Sequence, residues 1–528
     1  MFQIRNVTLT HKKDLRTILE DFSLVLNKGD KAVLIGEEGN GKSTLMKWIF
    51  DPELIEDYIE HEGEKIISGE KLSYLPQELP EADKGKSVSA YFAEDPFFYE
   101  MSPKELSGMA KDFHVEQAFF YREQMMKTLS GGERVKAQMM RILMERPTML
   151  LLDEPSNDID IETLELMERI MLGFDGALLF ISHDEVLIEH VADRVIHFEQ
   201  IRRKTKCRHT VANMPYRQYV EERLHDFEKQ EQIALGERRE KKIRDEKLRR
   251  MEQSVGSSMD NLSHADRDHI GQLLKKKMKN VKAMEKRFER EDAQMTEIPE
   301  QEEAIFFKLG DKNSAIPAGK WVLEYESPAL HAADGSRILA KDLELRIRGS
   351  EKLGIIGTNG CGKSTLLGIL ASELLARQDL RAEYMPQDYE KMLDMDLTPV
   401  DFLDGSGDKE ERTRIRTYLG SLKYTADEME HPIRELSGGQ KAKVLLLKLS
   451  MSGANVLILD EPTRNFSPLS GPVIRRMLKD FPGAIISVSH DRKYLSEVCD
   501  RICRLTPEGL ESVDALAETG TKKWGSHF

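Results

Sequence analysis

The stretch GEEGNGKST, residues 36–44, decides how this chain is read, and GTNGCGKST, residues 357–365, repeats it. The first copy follows the apolar run of residues 32–35. A GxxGxGK[ST] pattern in that position is a strand–loop–helix cradle for phosphate. Its glycines let backbone N–H groups face phosphate oxygens, and the helix that follows presents its positive end. Gly36, Gly39 and Gly41 shape one cradle and Gly357, Gly360 and Gly362 the other. Lys42 and Lys363 are placed to reach the terminal phosphates. Ser43 and Ser364 are placed to coordinate Mg²⁺, and Thr44 and Thr365 complete the motif.

Working outward from the cradles, more of the chain repeats. LSGGE (Ser130, Gly131, Gly132) recurs as LSGGQ (Ser437, Gly438, Gly439), LLLDEP as LILDEP, and SHD at 182–184 as SHD at 489–491. Signature, Asp-Glu pair and histidine are all offset by 307 positions, whereas the lysines are offset by 321. The chain is therefore a duplicated domain of about two hundred residues, aligned without gaps downstream and with small indels upstream. LLLDE is a buried strand ending in two carboxylates. Asp153 and Asp460 are expected to hold Mg²⁺. Glu154 and Glu461 are expected to polarise the attacking water, because phosphoryl transfer needs mainly positioning and charge neutralisation. His183 and His490, at the ends of further apolar strands, are candidate γ-phosphate contacts. The signature serines and glycines precede helical runs and turn N–H groups toward an anion.

Composition limits the alternatives. The chain has 528 residues, a net charge of −15 and a pI near 5.6, which exclude a surface that coats nucleic acid everywhere. Four cysteines, Cys207, Cys361, Cys499 and Cys503, show no disulfide or metal spacing and suit a reducing compartment. The opening MFQIRNVTLT reads as an alternating strand rather than a signal peptide, and no window approaches the ~18 apolar residues of a membrane span. The expected location is cytoplasmic, with no membrane domain.

The segment between the copies differs from both. Residues 216–251 and roughly 264–292 read as long helices, with turn chemistry in SVGSSMDNLS at 254–263. In the second helix Ile270, Leu274, Met278, Val281, Met284 and Phe288 form one apolar stripe. Basic residues concentrate there: eight against three acidic at 238–250, and seven against one at 275–288. A hairpin of this kind suits local contact with an RNA backbone through Arg249, Arg250, Lys275, Lys276, Lys277, Lys279 and Lys282.

With these motifs the chain resembles the ATP-binding-cassette superfamily across both copies. The resemblance implies an ATPase using ATP and Mg²⁺, with an α/β fold of two P-loop cassettes facing head to tail. In that arrangement Ser437 and Gly439 complete the site of Lys42, and Ser130 and Gly132 complete that of Lys363. Gln77 in YLPQ and Gln387 in YMPQ match the family glutamine that senses Mg²⁺ and γ-phosphate. Two fused cassettes, a charged helical linker and no membrane span are similar to the ABC-F family. Its members bind the ribosome at the tRNA exit site and extend the linker toward the P-site tRNA. The resemblance thus implies a ribosome partner, contacted through ribosomal RNA and tRNA by the hairpin of residues 216–292. It also implies a monomer whose cassettes pair within the chain, acting in translation or in protection of the ribosome from antibiotics.

Two departures stand out. SNDID follows the first DEP and TRNFS the second, so Asp160 has Ser467 as its counterpart, which predicts asymmetric coupling between the sites. For stacking on adenine the sequence offers only His11, His331 and Tyr325. Spacings of 52 residues from Gln77 to Leu129 and 49 from Gln387 to Leu436 leave no room for an inserted arm. The expected domains are residues 1–205, a connecting hairpin segment 206–302, and residues 303–528. The competing reading is the ATPase subunit of a transporter with a separate membrane partner, which leaves the basic hairpin unexplained. A recycling ATPase lacks its iron–sulfur cysteines here, and a DNA-excision protein its zinc pairs.

Overall fold

Phe2–His11 begins the fold as the alternating strand its sequence predicts, with Phe2, Ile4, Val7 and Leu9 buried and a bulge at Asn6. It pairs antiparallel with Thr17–Leu26 and Ile59–Ile67 in a three-stranded sheet. In this computed structural model the described residues are 2–201, 206–260, 269–292, 295–296, 309–310, 314–332, 335 and 337–513.

Each copy is built on a six-stranded sheet. The first runs Leu72–Leu75, Met149–Asp153, Ala177–Ile181, Lys31–Ile35, Arg194–Ile201, Lys206–Ala212. The second runs Ala382–Met385, Val456–Asp460, Ala484–Val488, Lys352–Ile356, Arg501–Thr506, Gly509–Val513. In both, the first five strands are parallel and the sixth is an antiparallel edge. The inner strands MLLLD and VLILD are buried at every position, because helices cover both faces of a parallel sheet. The expected boundary after residue 205 falls inside a hairpin. Lys206–Ala212 returns against Arg194–Ile201, so its backbone hydrogen bonds place it in the first cassette.

By packing, the chain divides into one unit comprising Met1–Tyr216 with Glu302–Phe528, and a second, Arg217–Gln301. Among its described residues the second unit holds two helices, Tyr216–Asp260, apart from its first residue, and His269–Asp292. The first is 45 residues long, about 67 Å at ~1.5 Å per residue. It continues through the serines and glycine from 254, where a turn was expected, and residues 261–268 lie outside the described residues. A serine or glycine costs a helix at most about 1 kcal/mol, and no proline stands there to break it. Polar contacts knit the two helices. Arg244 reaches Glu291 at 3.0 Å, also pairs with Asp292, and lies over the Phe288 ring; Lys241 pairs with Asp292 at 2.9 Å. Val281 is buried, Met278 and Phe288 are half-buried, and Met284 is exposed; the side chains of Ile270 and Leu274 lie outside the described residues.

Candidate functional site

Sheet order gathers the motifs. Strands Leu72–Leu75, Met149–Asp153, Ala177–Ile181 and Lys31–Ile35 are consecutive neighbours, all pointing the same way. Their carboxyl ends therefore deliver Gln77, Glu154, His183 and Lys42 to one edge. The second sheet does the same with Gln387, Glu461, His490 and Lys363. Ligands of open parallel sheets sit at that edge.

The cradle geometry is nearly identical in the two copies. Gly41 and Gly362, at φ 83° and 103°, cap helices Lys42–Phe50 and Lys363–Leu375 in the left-handed region. Thr44 and Thr365 lie in the first turns. Lys42 Nζ donates to the carbonyls of Gly36 (2.7 Å) and Glu37 (2.9 Å), and Lys363 to those of Gly357 (2.8 Å) and Thr358 (3.0 Å). Both lysines are curled into loops whose remaining glycines, Gly39 and Gly360, have positive φ.

The acidic pairs differ. Ser43 Oγ donates to Asp153 at 3.0 Å and Tyr74 OH donates at 3.1 Å. Burial, aided by the Glu154 charge, nevertheless pushes Asp153 up to about 6. Burial also disfavours charge on Glu154, but His183 at 3.1 Å, Lys42 and Asn157 outweigh it and bring that carboxyl down to about 2. Gln77 Nε2 donates to the same carboxylate at 3.3 Å. In the second copy burial and Asp460 push Glu461 up to about 8, and the His490 ring stands 3.8 Å away. Burial and the Lys363 charge hold His490 down at about 3. Glu154 and Glu461 share a feature the sequence does not announce: both sit at positive φ, 52° and 53°, rare for a residue with a side chain and characteristic of functional turns.

The chemistry of the donors fits Mg²⁺. Ser43, Gln77 and Asp153, and likewise Ser364, Gln387 and Asp460, are oxygen ligands, the kind a hard cation takes together with phosphate and water. Asp460 Oδ1 is buried without a hydrogen-bond partner, an oxygen that such a cation would satisfy. Burial raises the Asp460 pKa against the pull of Ser364 and Lys363.

The signature is a helix cap. Ser130 accepts the Glu133 N–H and Glu133 returns to the Ser130 N–H; Ser437 and Gln440 do the same. Both LSGGE and LSGGQ contain the S-x-x-E/Q box, so this geometry was available in the sequence. Gly131 is packed so tightly that a Cβ there would lie 1.9 Å from the Asp158 carbonyl, and Gly132 is buried beside Thr163.

Each signature lies against the other cassette's cradle. Ser130 and Gly131 line a cavity of about 580 Å³ with Gly360, Gly362, Lys363, Ser364, Thr365, Gln387, Asp460, Glu461 and His490. Ser437 and Gly439 lie with Glu37 and Glu38 of the first cradle around a space of about 30 Å³; Gly438 also adjoins Glu38. His11, His331 and Tyr325 are not among the described residues lining the larger cavity, which Ala332, Arg337 and Leu339 border instead.

The structure adds cross-cassette contacts that motif reading missed. Asn359 donates its N–H to Asp160 (3.2 Å) and its side-chain amide to the Asp158 carbonyl (2.6 Å), while Arg464 pairs with Asp158 at 2.9 Å. Asp160 also caps helix Ile161–Gly173. Its counterpart Ser467 is buried and bonds Ser470 within its own cassette. The expected asymmetry thus has a structural form. A buried ionic cluster completes the interface: Glu185 takes Arg475 (2.6 Å) and Lys493 (3.1 Å), and Arg492 takes Glu168 and Asp184 (both 3.0 Å). A signal existed, since the residue after SHD is acidic Glu185 in one copy and basic Arg492 in the other.

The family model described as ABC transporter matches residues 19–157 and 340–464, half of the chain in two separate copies. ATP-binding protein Uup of Escherichia coli (strain K12) is 27% identical, over 90% of this chain and 76% of its own length. Ribosome protection protein VmlR of Bacillus subtilis (strain 168) is 27% identical, over 96% and 87%. ABC transporter F family member 5 of Arabidopsis thaliana is 24% identical, over 94% and 74%. Among solved structures, the complex of archaeal ribosomal stalk protein aP1 and ribosome recycling factor aABCE1 has a TM-score of 0.57 at 16% identity. It covers 96% of this chain and 90% of that one, a likeness of fold. Among the described residues no helix is long and apolar enough to cross a membrane.

Proposed function

We propose, from the premise that this chain belongs to the ABC-F family of ABC ATPases, that ATP closes its cassettes into a ribosome-binding state and hydrolysis releases it. The observation that carries the reading is the pairing of two composite phosphate sites with a long two-helix unit. That unit exposes Lys276, Lys277, Lys279 and Lys282 on one helix and Arg249 and Arg250 on the other. Exposed cations on an otherwise acidic chain favour a local polyanion contact. The ribosome protection that VmlR is named for supports the same partner. Binding at the tRNA exit site, contact with P-site tRNA, and protection from antibiotics are the finer parts of this proposal. A cytoplasmic location belongs to it as well.

Within each site the chain's own groups divide the work. Lys42 and Lys363 neutralise the terminal phosphates, and the signature N–H groups of the opposite cassette close over them. Glu154 and Glu461 take the proton of the attacking water, with His183 and His490 oriented beside them. Ser43, Gln77 and Asp153, and likewise Ser364, Gln387 and Asp460, would hold Mg²⁺, which would supply charge neutralisation at the phosphate oxygens.

The test is co-sedimentation of the Glu154→Gln/Glu461→Gln double variant with 70S ribosomes, with and without ATP. Pelleting that needs ATP supports the proposal. A variant that binds ATP yet stays in the supernatant overturns the ribosome reading and redirects the search to a protein or membrane partner.

A further inference from the structure

We propose that Glu38 is a built-in competitor for the phosphate end of the nucleotide in the Lys42 site, making that site bind ATP more weakly than the Lys363 site. The inference rests on nucleotide binding at both cradles and says how they differ.

Glu38 and Asn359 occupy the same position of the two cradles, four residues before the lysine. Both face the opposite cassette, but they do opposite things there. Asn359 is neutral and ties the cradle to Asp158 and Asp160 at the edge of its site, leaving the Ser130 signature open to the large cavity. Glu38 instead lays its carboxylate on the signature itself. Its Oε2 accepts the N–H of Gly439 at 2.5 Å, and a Cβ on Gly438 would touch both carboxylate oxygens at 3.2 and 3.3 Å. That N–H belongs to the first turn of a 14-residue helix, Gly438–Met451, whose positive end favours an anion. The carboxylate satisfies the donor that the composite site would give to a phosphate.

Neighbouring contacts hold the arrangement. The adjacent Glu37 pairs with Lys443 on the same helix at 2.6 Å. Tyr389 OH donates to the Gly438 carbonyl at 2.8 Å and receives Asn465 Nδ2 at 2.6 Å, fixing the signature backbone from the other side. The crevice left between Glu37, Glu38 and the signature residues Ser437, Gly439 and Gln440 is only about 30 Å³. A triphosphate entering the Lys42 site has to displace Glu38 from Gly439 and bring its charge close to two carboxylates.

The experiment titrates fluorescent mant-ATP with Mg²⁺ into full-length chains carrying one disabled cradle. In the Lys363→Ala chain, which reports the Lys42 site, adding Glu38→Asn or Glu38→Gln is expected to tighten binding at least about tenfold, whereas Glu38→Asp leaves it weak. In the Lys42→Ala chain, which reports the other site, Asn359→Glu is expected to weaken binding by a similar factor. Glu38 is exposed and outside the core, so its substitutions leave folding intact, and a thermal melt checks every variant. Unchanged or weaker binding on removing the Glu38 charge, including no binding at all, overturns the proposal. Binding by the Lys42→Ala chain reports separately on the nucleotide reading.

Discussion

Replacing Arg475 by methionine is expected to loosen the cassette interface in a pH-dependent way. Arg475 is 3% exposed and holds the buried Glu185 through two hydrogen bonds, 2.6 and 3.3 Å, so Arg475→Met leaves a buried carboxylate without its main partner. Breaking a buried pair from one side costs ~3–5 kcal/mol when the remaining charge has no escape. Glu185 has two. Lys493 stays at 3.1 Å, and the carboxyl can take a proton, since burial already raises it above its ordinary 4.5 despite Arg475. At ~1.36 kcal/mol per pH unit, protonation caps the loss near 3.4 kcal/mol at pH 7. The expected cost is therefore about 2–3 kcal/mol at pH 7, or roughly 30- to 150-fold in the open-to-closed ratio. The sign follows from the raised carboxyl. Because the folded form of the variant holds the proton more tightly than the unfolded chain, the cost shrinks as pH falls, by at most about 1.4 kcal/mol per pH unit. Hydrogen exchange of helices Glu185–Val191 and Arg492–Val498, corrected for intrinsic rates, reads this opening directly. Arg475→Lys keeps the charge and should restore most of the protection. Unchanged exchange in Arg475→Met, or a loss that does not vary with pH, would refute the reasoning.

Three further outcomes are expected. Gly131→Ala forces a Cβ to within 1.9 Å of the Asp158 carbonyl, so the loop must shift, and ATP turnover should fall at least about a hundredfold, as steady-state phosphate release would measure. Burial raises the Asp160 carboxyl, but hydrogen bonds from Thr163 and Asn359 outweigh it and hold it below its ordinary value of 3.8. Its contribution is then complete above that value and lost as pH falls through the depressed one. The Asn359 amide should stay protected from pH 7 to about 5 and lose protection only in stronger acid, and Asp160→Asn should remove that pH dependence. Changing Lys276, Lys277, Lys279 and Lys282 to glutamine should weaken ribosome binding at all sites alike and lower the slope of log affinity against log salt by about 3. Binding isotherms at several salt concentrations with an unaltered slope would remove the hairpin lysines from the interface.

Much of the site was legible because its motifs are local. A GxxGxGK loop needs only its own glycines to fold, and an S-x-x-E box only its own cap. The long helices were legible from charge and the absence of proline, yet the turn expected at 254–263 gave way to a helix running to Asp260. Serine and glycine weaken a helix there without stopping it. The strand Lys206–Ala212, left outside the first domain in the sequence reading, was missed because it is an edge strand, half-buried, with no strong apolar alternation.

Opposed charges are another matter. Glu185 and Arg475 are separated by 290 positions, and nothing local tells either residue that it will be buried against the other. The same holds for Glu38, one of three differences between its loop and the twin, which lays a carboxylate on a signature 401 positions away.

The sequence by itself determined that the chain carries two phosphate-cradle motifs, with lysine, serine, aspartate, glutamate and histidine at matching positions, because those motifs depend on backbone conformations set within a few residues. Only the tertiary structure decided which signature faces which cradle, that Asp160 reaches across and Ser467 does not, and that Glu38 lies on one signature while the other opens on a cavity. Those outcomes depend on strand order and on helices meeting across an interface, where burial makes a single carboxylate count, and no local pattern encodes that meeting.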